Sequence, residues 1–139
     1  MLQFLLDTDH LTLLEHKHPV VMRHIAQQGQ GVVGFAAVTV EESLRSRLTA
    51  IAQARDGASR IDRYALLLET LRRFQHYAIA PFDQTAENHY QQIRALRLRV
   101  GARDQKIAAI ALANTVILVT RNRSDFGQIP GLVLEDWSK

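Results

Sequence analysis

The sequence predicts an α/β fold: a three-layer sandwich in which a central parallel sheet of about five strands is flanked by helices. Three observations predict it. Short apolar runs alternate with helical stretches along the whole chain. The apolar runs are continuous instead of alternating with polar residues, which is the mark of strands buried on both faces. Each run is separated from the next by at least one helix, so neighbouring strands pair in parallel through crossover connections.

Leu2–Leu6 is the first apolar run, and it ends in Asp7-Thr8-Asp9, a strand feeding a helix. Thr8–His16 has helical spacing, and Pro19 opens a second helix that reaches Gln28, where Gly29 and Gly31 end it. Gly31–Ala36 is the second strand. Val38–Ala54 reads as a helix with Val40, Leu44, Leu48 and Ile51 on one face. Asp56-Gly57 is a turn, and Ser59 caps a helix to Gln75 that carries Tyr64, Leu67, Leu68 and Leu71; the two long helices form an antiparallel hairpin. Tyr77–Pro81 is the third strand. Asp83 starts a helix through Arg99, and Gly101 breaks it. Arg103–Asn114 is a helix of small residues suited to close packing on a sheet. Val116–Val119 is the fourth strand, Ser124–Gln128 a helical turn, and Leu132–Leu134 the fifth strand.

Composition narrows the class. The 139 residues, 47% of them hydrophobic, are enough for one domain, 1–139, with a real core and no repeat, linker or low-complexity tract. Absence of cysteine rules out disulfides, thiolate nucleophiles and cysteine-held zinc, and fits a reducing compartment. The apolar N-terminus is too short for a signal peptide, and no run approaches a membrane span, so the expectation is a cytoplasmic protein with no membrane partner. Of the 17 basic residues only Lys17, Lys106 and Lys139 are lysines. Arginine grips phosphate in a bidentate way and stacks on bases, which leans towards a nucleic-acid partner, although a solvated helix surface explains the same bias.

The chemistry-bearing residues are acids. In an open parallel sheet, ligands bind beyond the carboxyl ends of the strands. Asp7 follows the first strand directly, and Asp125 lies in the loop after the fourth. Glu41 and Glu42 stand in the first turns of the helix after the second strand, and Asp104 at the start of the helix after Gly101. All can face one sheet edge. Clustered carboxylates repel and hold their protons, a penalty that a hard divalent cation such as Mg2+ or Mn2+ removes. An acidic site in a basic protein suits metal-assisted phosphodiester hydrolysis, with arginines drawing in the polyanion. Each acid alone also has a capping explanation: Asp7, Thr8 and Asp9 for the first helix, Glu41 and Glu42 on a helix dipole, Asp104 and Asp125 on theirs. Capping leaves the convergence at one edge unexplained.

Four segments, LLDTD at the start, TVEES around Glu42, GARDQKIAAIALAN, and LVTRNRSDFGQIPGLVLEDW, together resemble the PIN domain, and more narrowly the VapC-type toxins of bacterial toxin–antitoxin pairs. The resemblance covers the whole chain, with the motifs in order. It implies a parallel sheet between helices, and endonucleolytic cleavage of RNA by a metal-bound water. It also implies a carboxylate set of Asp7, Glu42, Asp104 and Asp125 on Mg2+ or Mn2+. Thr120 and Asn122 match the polar positions of the loop after the fourth strand, where they position the water or the last carboxylate. A cognate antitoxin and a homodimer are implied as partners, with the helices Val38–Ala54 and Ser59–Gln75 as candidate interfaces. Two departures from the family pattern stand out: Asp9 where Asn is more usual, and Glu41 where a small residue is more usual. The Thr-Val-x register favours Glu42 as the second acid.

Other features carry less. His16 and His18 lack a third metal ligand at suitable spacing. Asp83 reads as an N-cap, and Phe126 and Trp137 as packing residues. Arg94, Arg97, Arg99 and Arg103 suit RNA backbone contact or a solvated face equally. Neither GxGxxG, GxxxxGK[ST] nor a Gly-x-Ser-x-Gly elbow occurs. A catalytically silent PIN-fold module that only binds RNA or protein is the alternative, and the intact acids argue against it. A phosphoacceptor signalling domain is rejected: the second strand ends in Phe-Ala-Ala, and no lysine follows the last strand before Lys139.

Overall fold

The computed structural model describes residues 1–139. Five strands, β1 (Phe4–Leu6), β2 (Val33–Ala36), β3 (Ala78–Ala80), β4 (Ile117–Val119) and β5 (Leu134–Glu135), form one sheet in the order β3-β2-β1-β4-β5. Every pairing is parallel. Seven helices cover it: α1 (Thr8–Glu15), α2 (Pro19–Ala26), α3 (Ala37–Ala52), α4 (Gly57–Phe74), α5 (Gln84–Ala95), α6 (Ala102–Asn114) and α7 (Arg123–Phe126). The predicted class and element order are those observed.

Burial explains why the strands read as unbroken apolar runs. Leu5, Ala36 and Leu118 point into a core shared with Ile107, Ala108, Ile110 and Ala111 of α6. Their neighbours Leu6, Phe35 and Val119 point into a second core with Leu11, Phe74 and Trp137. Successive strand residues serve opposite faces, so both must be apolar. The alanines of α6 let that helix lie close to the sheet. Gly34 does the same within it: a Cβ there would run into the carbonyl oxygen of Ala78 on β3.

Several boundaries differ from the sequence reading. The helix after Asp83 ends at Ala95, not Arg99, because the chain turns through a left-handed residue at Arg97 (φ 54°). The last strand is Leu134–Glu135, starting two residues and ending one residue later than Leu132–Leu134, as set by pairing with Leu118 and Val119. Asp56, not Ser59, caps α4: its carboxylate accepts the Ser59 N–H at 2.7 Å.

The long hairpin departs most. Leu48, placed with the core-facing residues of α3, is 58% exposed, and the buried positions there are Val38, Thr39 and Ser43. On α4, Tyr64, Leu68 and Leu71 are exposed while Thr70 and Phe74 are buried. Periodicity shows that a helix has an apolar stripe; it does not show which stripe meets the sheet. A polar network fixes the hairpin instead. Arg47 of α3 bonds Glu15 of α1 and, through Nε at 2.9 Å, Thr70 of α4, and Arg73 joins the same Glu15 at 3.4 Å.

Candidate active site

Strand order places the site. Chain order reverses direction between β1 and β4, which lie side by side at the middle of the sheet, and such a switch point opens a crevice at the strands' carboxyl ends. Leu6 pairs with Phe35 on one side and Val119 on the other. The residues that follow, Asp7, Ala36 and Thr120, therefore emerge together. The Asp7 N–H donates to the Val119 carbonyl at 3.1 Å, which locks this edge.

Asp7 is 5% exposed and does two things. It N-caps α1, accepting the His10 N–H at 2.8 Å, and the same Oδ1 faces the His10 ring nitrogen Nδ1 at 3.2 Å. On the far side of the ring, Nε2 accepts the Trp137 N–H at 3.3 Å. That bond fixes the tautomer: the proton sits on Nδ1 and donates to Asp7. The fully buried His10 thus ties the first acid to the C-terminal segment. Sequence reasoning passed over it, although a histidine three residues after a helix-capping aspartate is the pattern that brings the two together.

Glu42 lies on the second turn of α3 and turns inward. Its Oε2 accepts the Thr8 hydroxyl at 2.8 Å, and its Oε1 the Arg103 guanidinium at 2.8 Å. Glu41 points out and pairs with Arg45 in the next turn at 2.9 Å. The structure thus separates the two glutamates: Glu42 faces Thr8 and Arg103, and Glu41 faces Arg45.

Asp104 enters from the first turn of α6, where Gly101, not Asp104, occupies the cap position. The buried Gln105 fastens this turn, donating to the Val100 carbonyl at 2.7 Å. Burial pushes the Asp104 carboxyl above its usual range, and repulsion from Asp7, Asp125 and Glu42 adds to the shift, with Arg103 partly offsetting it. Asp104 is therefore the residue that senses all the other three acids.

Asp125 is set by the loop after β4. Asn122 caps α7, its Oδ1 accepting the Asp125 N–H at 3.2 Å while its Nδ2 donates to the Asp125 carboxylate at 3.0 Å. The Thr120 hydroxyl in turn accepts the Asn122 N–H at 2.9 Å. Both polar residues act on the orientation of the last carboxylate. Asp9 is engaged elsewhere: Arg121 grips it with two bonds, 2.7 and 2.9 Å.

The donor set fits a hard divalent cation. Four carboxylates converge, no thiol is present, and their mutual repulsion is written into the raised Asp104 carboxyl. The tightest group of potential ligand atoms is Asp7, Asp9 and His10, all within 4.8 Å of one another. Within that trio both His10 nitrogens are engaged and Arg121 holds both Asp9 oxygens, which leaves Asp7 its least encumbered member. Of the arginine-rich stretch, Arg103 alone reaches the acids; Arg94 lies over the Tyr90 ring at 5.5 Å. His16 and His18 sit at helix ends, His18 capping α2, with no metal geometry around them. Asp83 caps α5, and Phe126 and Trp137, each 1% exposed, are core residues as expected.

Comparison with known proteins agrees with this architecture. The chain is 30% identical over 143 aligned positions, spanning 99% of its length, to all of a Shigella flexneri protein named tRNA(fMet)-specific endonuclease VapC. It belongs to the VapC family of PIN-domain toxins. A Salmonella typhimurium protein of the same name is 29% identical over 99% of both chains. The structure of DNA-bound VapBC from Salmonella typhimurium contains a chain that superposes with a TM-score of 0.79 at 25% identity, covering 99% of each. A chain of VapBC-1 from nontypeable Haemophilus influenzae shares the fold, with a TM-score of 0.75 at 18% identity, over 99% of this chain and all of that one. No family model matches the chain.

Proposed function

We propose that residues 1–139 form a single PIN-like domain acting as a divalent-cation-dependent endoribonuclease, the toxin half of a toxin–antitoxin pair. The observation that carries this reading is the placing of Asp7, Glu42, Asp104 and Asp125 at the switch point, where burial, and then repulsion from the other three, raises the Asp104 carboxyl. These four carboxylates are the residues to hold Mg2+ or Mn2+. When bound, such a cation supplies an acidified water and offsets charge on the phosphate. The chain's own groups supply positioning: His10 orients Asp7, Thr8 holds Glu42, and Asn122 with Thr120 aims Asp125. Preset carboxylates lose little conformational freedom on forming the site. Arg103 and Arg121 stand at the rim as counter-charges to an incoming polyanion.

Relatives named for tRNA(fMet) make transfer RNA the first substrate class to test. The DNA-bound VapBC structure from Salmonella typhimurium supports an antitoxin partner. An exposed apolar stripe, Ile61, Tyr64, Leu68 and Leu71 on α4, is the kind of surface a partner covers, whether antitoxin or a second copy in a homodimer. No helix is long and apolar enough to cross a membrane, consistent with a cytoplasmic site of action.

Cleavage of total RNA by the wild type with Mg2+, by the wild type with EDTA, and by Asp7→Asn with Mg2+ tests the reading. Asparagine retains the helix cap, so the variant folds. Cleavage is expected in the first reaction only. Equal cleavage in all three would remove the cation mechanism. Binding of RNA without cleavage in any would favour the silent-module alternative.

A further inference from the structure

We propose that the polar groove along the exposed side of α3 is the track for the RNA strand flanking the scissile phosphate, and that Arg103 is the phosphate-contacting residue at its mouth. This deepens the endoribonuclease reading and rests on it. The groove encloses about 430 Å³ and is lined by Glu42, Arg45, Ser46, Thr49, Gln53 and Arg103, with Ala50 its one apolar residue. Glu42, Arg45, Ser46 and Thr49 recur at helical spacing along one face of α3, and Gln53 continues it at the C-cap. From Glu42 to Gln53 that face runs roughly 16 Å, at 1.5 Å per residue. It starts at an acid of the cluster and leads away from it, and its lining offers hydroxyl, amide and guanidinium groups. These groups can meet a sugar–phosphate backbone through its phosphates and hydroxyls.

Bonding at Glu42 singles out Arg103. Both Glu42 oxygens are engaged, Oε2 by the neutral Thr8 hydroxyl and Oε1 by the Arg103 guanidinium. Arg103 is the charged partner of Glu42 Oε1, and a cation on the acids would compete with it for that negative charge. Arg103 donates through Nη1 alone, and its side chain is 53% exposed at the groove mouth. A phosphate can replace the carboxylate in that contact at no loss of charge pairing. Arg103 therefore shields Glu42 in the cation-free protein and passes to the RNA once the acids share a cation. The other arginines at the rim are placed less well. Arg121 spends two donors on Asp9, and Arg45 is paired with Glu41.

The test is fluorescence anisotropy with a labelled single-stranded RNA that spans the groove, and with a labelled dinucleotide. Both are titrated across salt concentrations, with EDTA or with Ca2+, and RNA integrity is checked on a gel. Arg103→Ala is expected to weaken oligonucleotide binding about tenfold in Ca2+. It should also make the plot of log affinity against log salt shallower by about 0.7, the contribution of one phosphate contact on a single strand. Arg103→Lys is expected to keep the wild-type salt slope. Thr49→Ala with Gln53→Ala should weaken the oligonucleotide and leave the dinucleotide unchanged. The rise in RNA affinity on adding Ca2+ should disappear in Arg103→Ala. These positions are exposed, and an unchanged thermal midpoint verifies folding. A wild type that cleaves RNA with Mg2+, beside an Arg103→Ala variant with wild-type affinity and slope, overturns the track while leaving the endoribonuclease standing. Absence of cation-dependent cleavage by the wild type overturns both.

Discussion

Replacing Asp104 by Asn is expected to stabilise the cation-free protein and to remove most of its response to a divalent ion. Asp104 is pushed up by burial and by three like charges, against one favourable arginine, so two repulsions are left uncompensated. At about 1 kcal/mol each after solvent screening, they amount to roughly 2 kcal/mol. Asparagine gives up the favourable placing of a carboxylate in the first turn of α6, about 0.5 kcal/mol. The net gain is about 1–2 kcal/mol, or roughly 3–6 °C in Tm for a chain of this size. Because the folded Asp104 holds its proton above the ordinary value of 3.8, the native state binds more protons there. Native stability is consequently lost as pH rises through that window, and the penalty is complete at neutrality. The variant's advantage should thus be greatest near pH 7 and vanish in acid. Thermal unfolding in EDTA and in Mn2+ reads this directly. The wild type should gain Tm with Mn2+ by mass action, and the variant should gain little. A variant that melts at or below the wild type in EDTA at pH 7, and responds equally to Mn2+, would refute the charge-repulsion argument.

Cation affinity, measured by Mn2+ titration over a pH series, should fall on acidification starting above the usual carboxylate range, since Asp104 competes for its proton there. His10→Ala should cost about 2–4 kcal/mol in urea unfolding, from a void in a fully buried site and from a Trp137 N–H left without its acceptor, while Asp7 keeps the backbone N–H of residue 10. Gly34→Ala should destabilise by about 1–3 kcal/mol, because the new methyl meets the Ala78 backbone, which cannot move without parting β2 from β3.

Much of the fold was legible because strand burial and helix punctuation are local. Leu5 and Leu6 must both be apolar since they face different cores, and Pro19 and Asp83 mark helix starts by their own backbone and side-chain chemistry. The hairpin was less legible. Leu48 and Leu68 look like core residues by period, yet they face outwards, because Glu15, Arg47, Thr70 and Arg73 set the rotation of α3 and α4. At the site, Asp7, Glu42, Asp104 and Asp125 stood out in four motifs. The groups that hold them did not: His10, Thr8 and Arg103 gain meaning only from what lies opposite.

By itself, the sequence determined the class of fold and the order of its elements, since these follow from residue type and spacing along one chain. Tertiary structure alone decided that Glu42 is shared between Thr8 and Arg103, that Asp9 belongs to Arg121, and that a groove leads from the cluster along α3. The physical reason is separation. Thr8 and Glu42 are 34 positions apart, Glu42 and Arg103 61, and Asp9 and Arg121 112, and pairings over such distances are chosen by strand order and helix rotation, which no local pattern encodes.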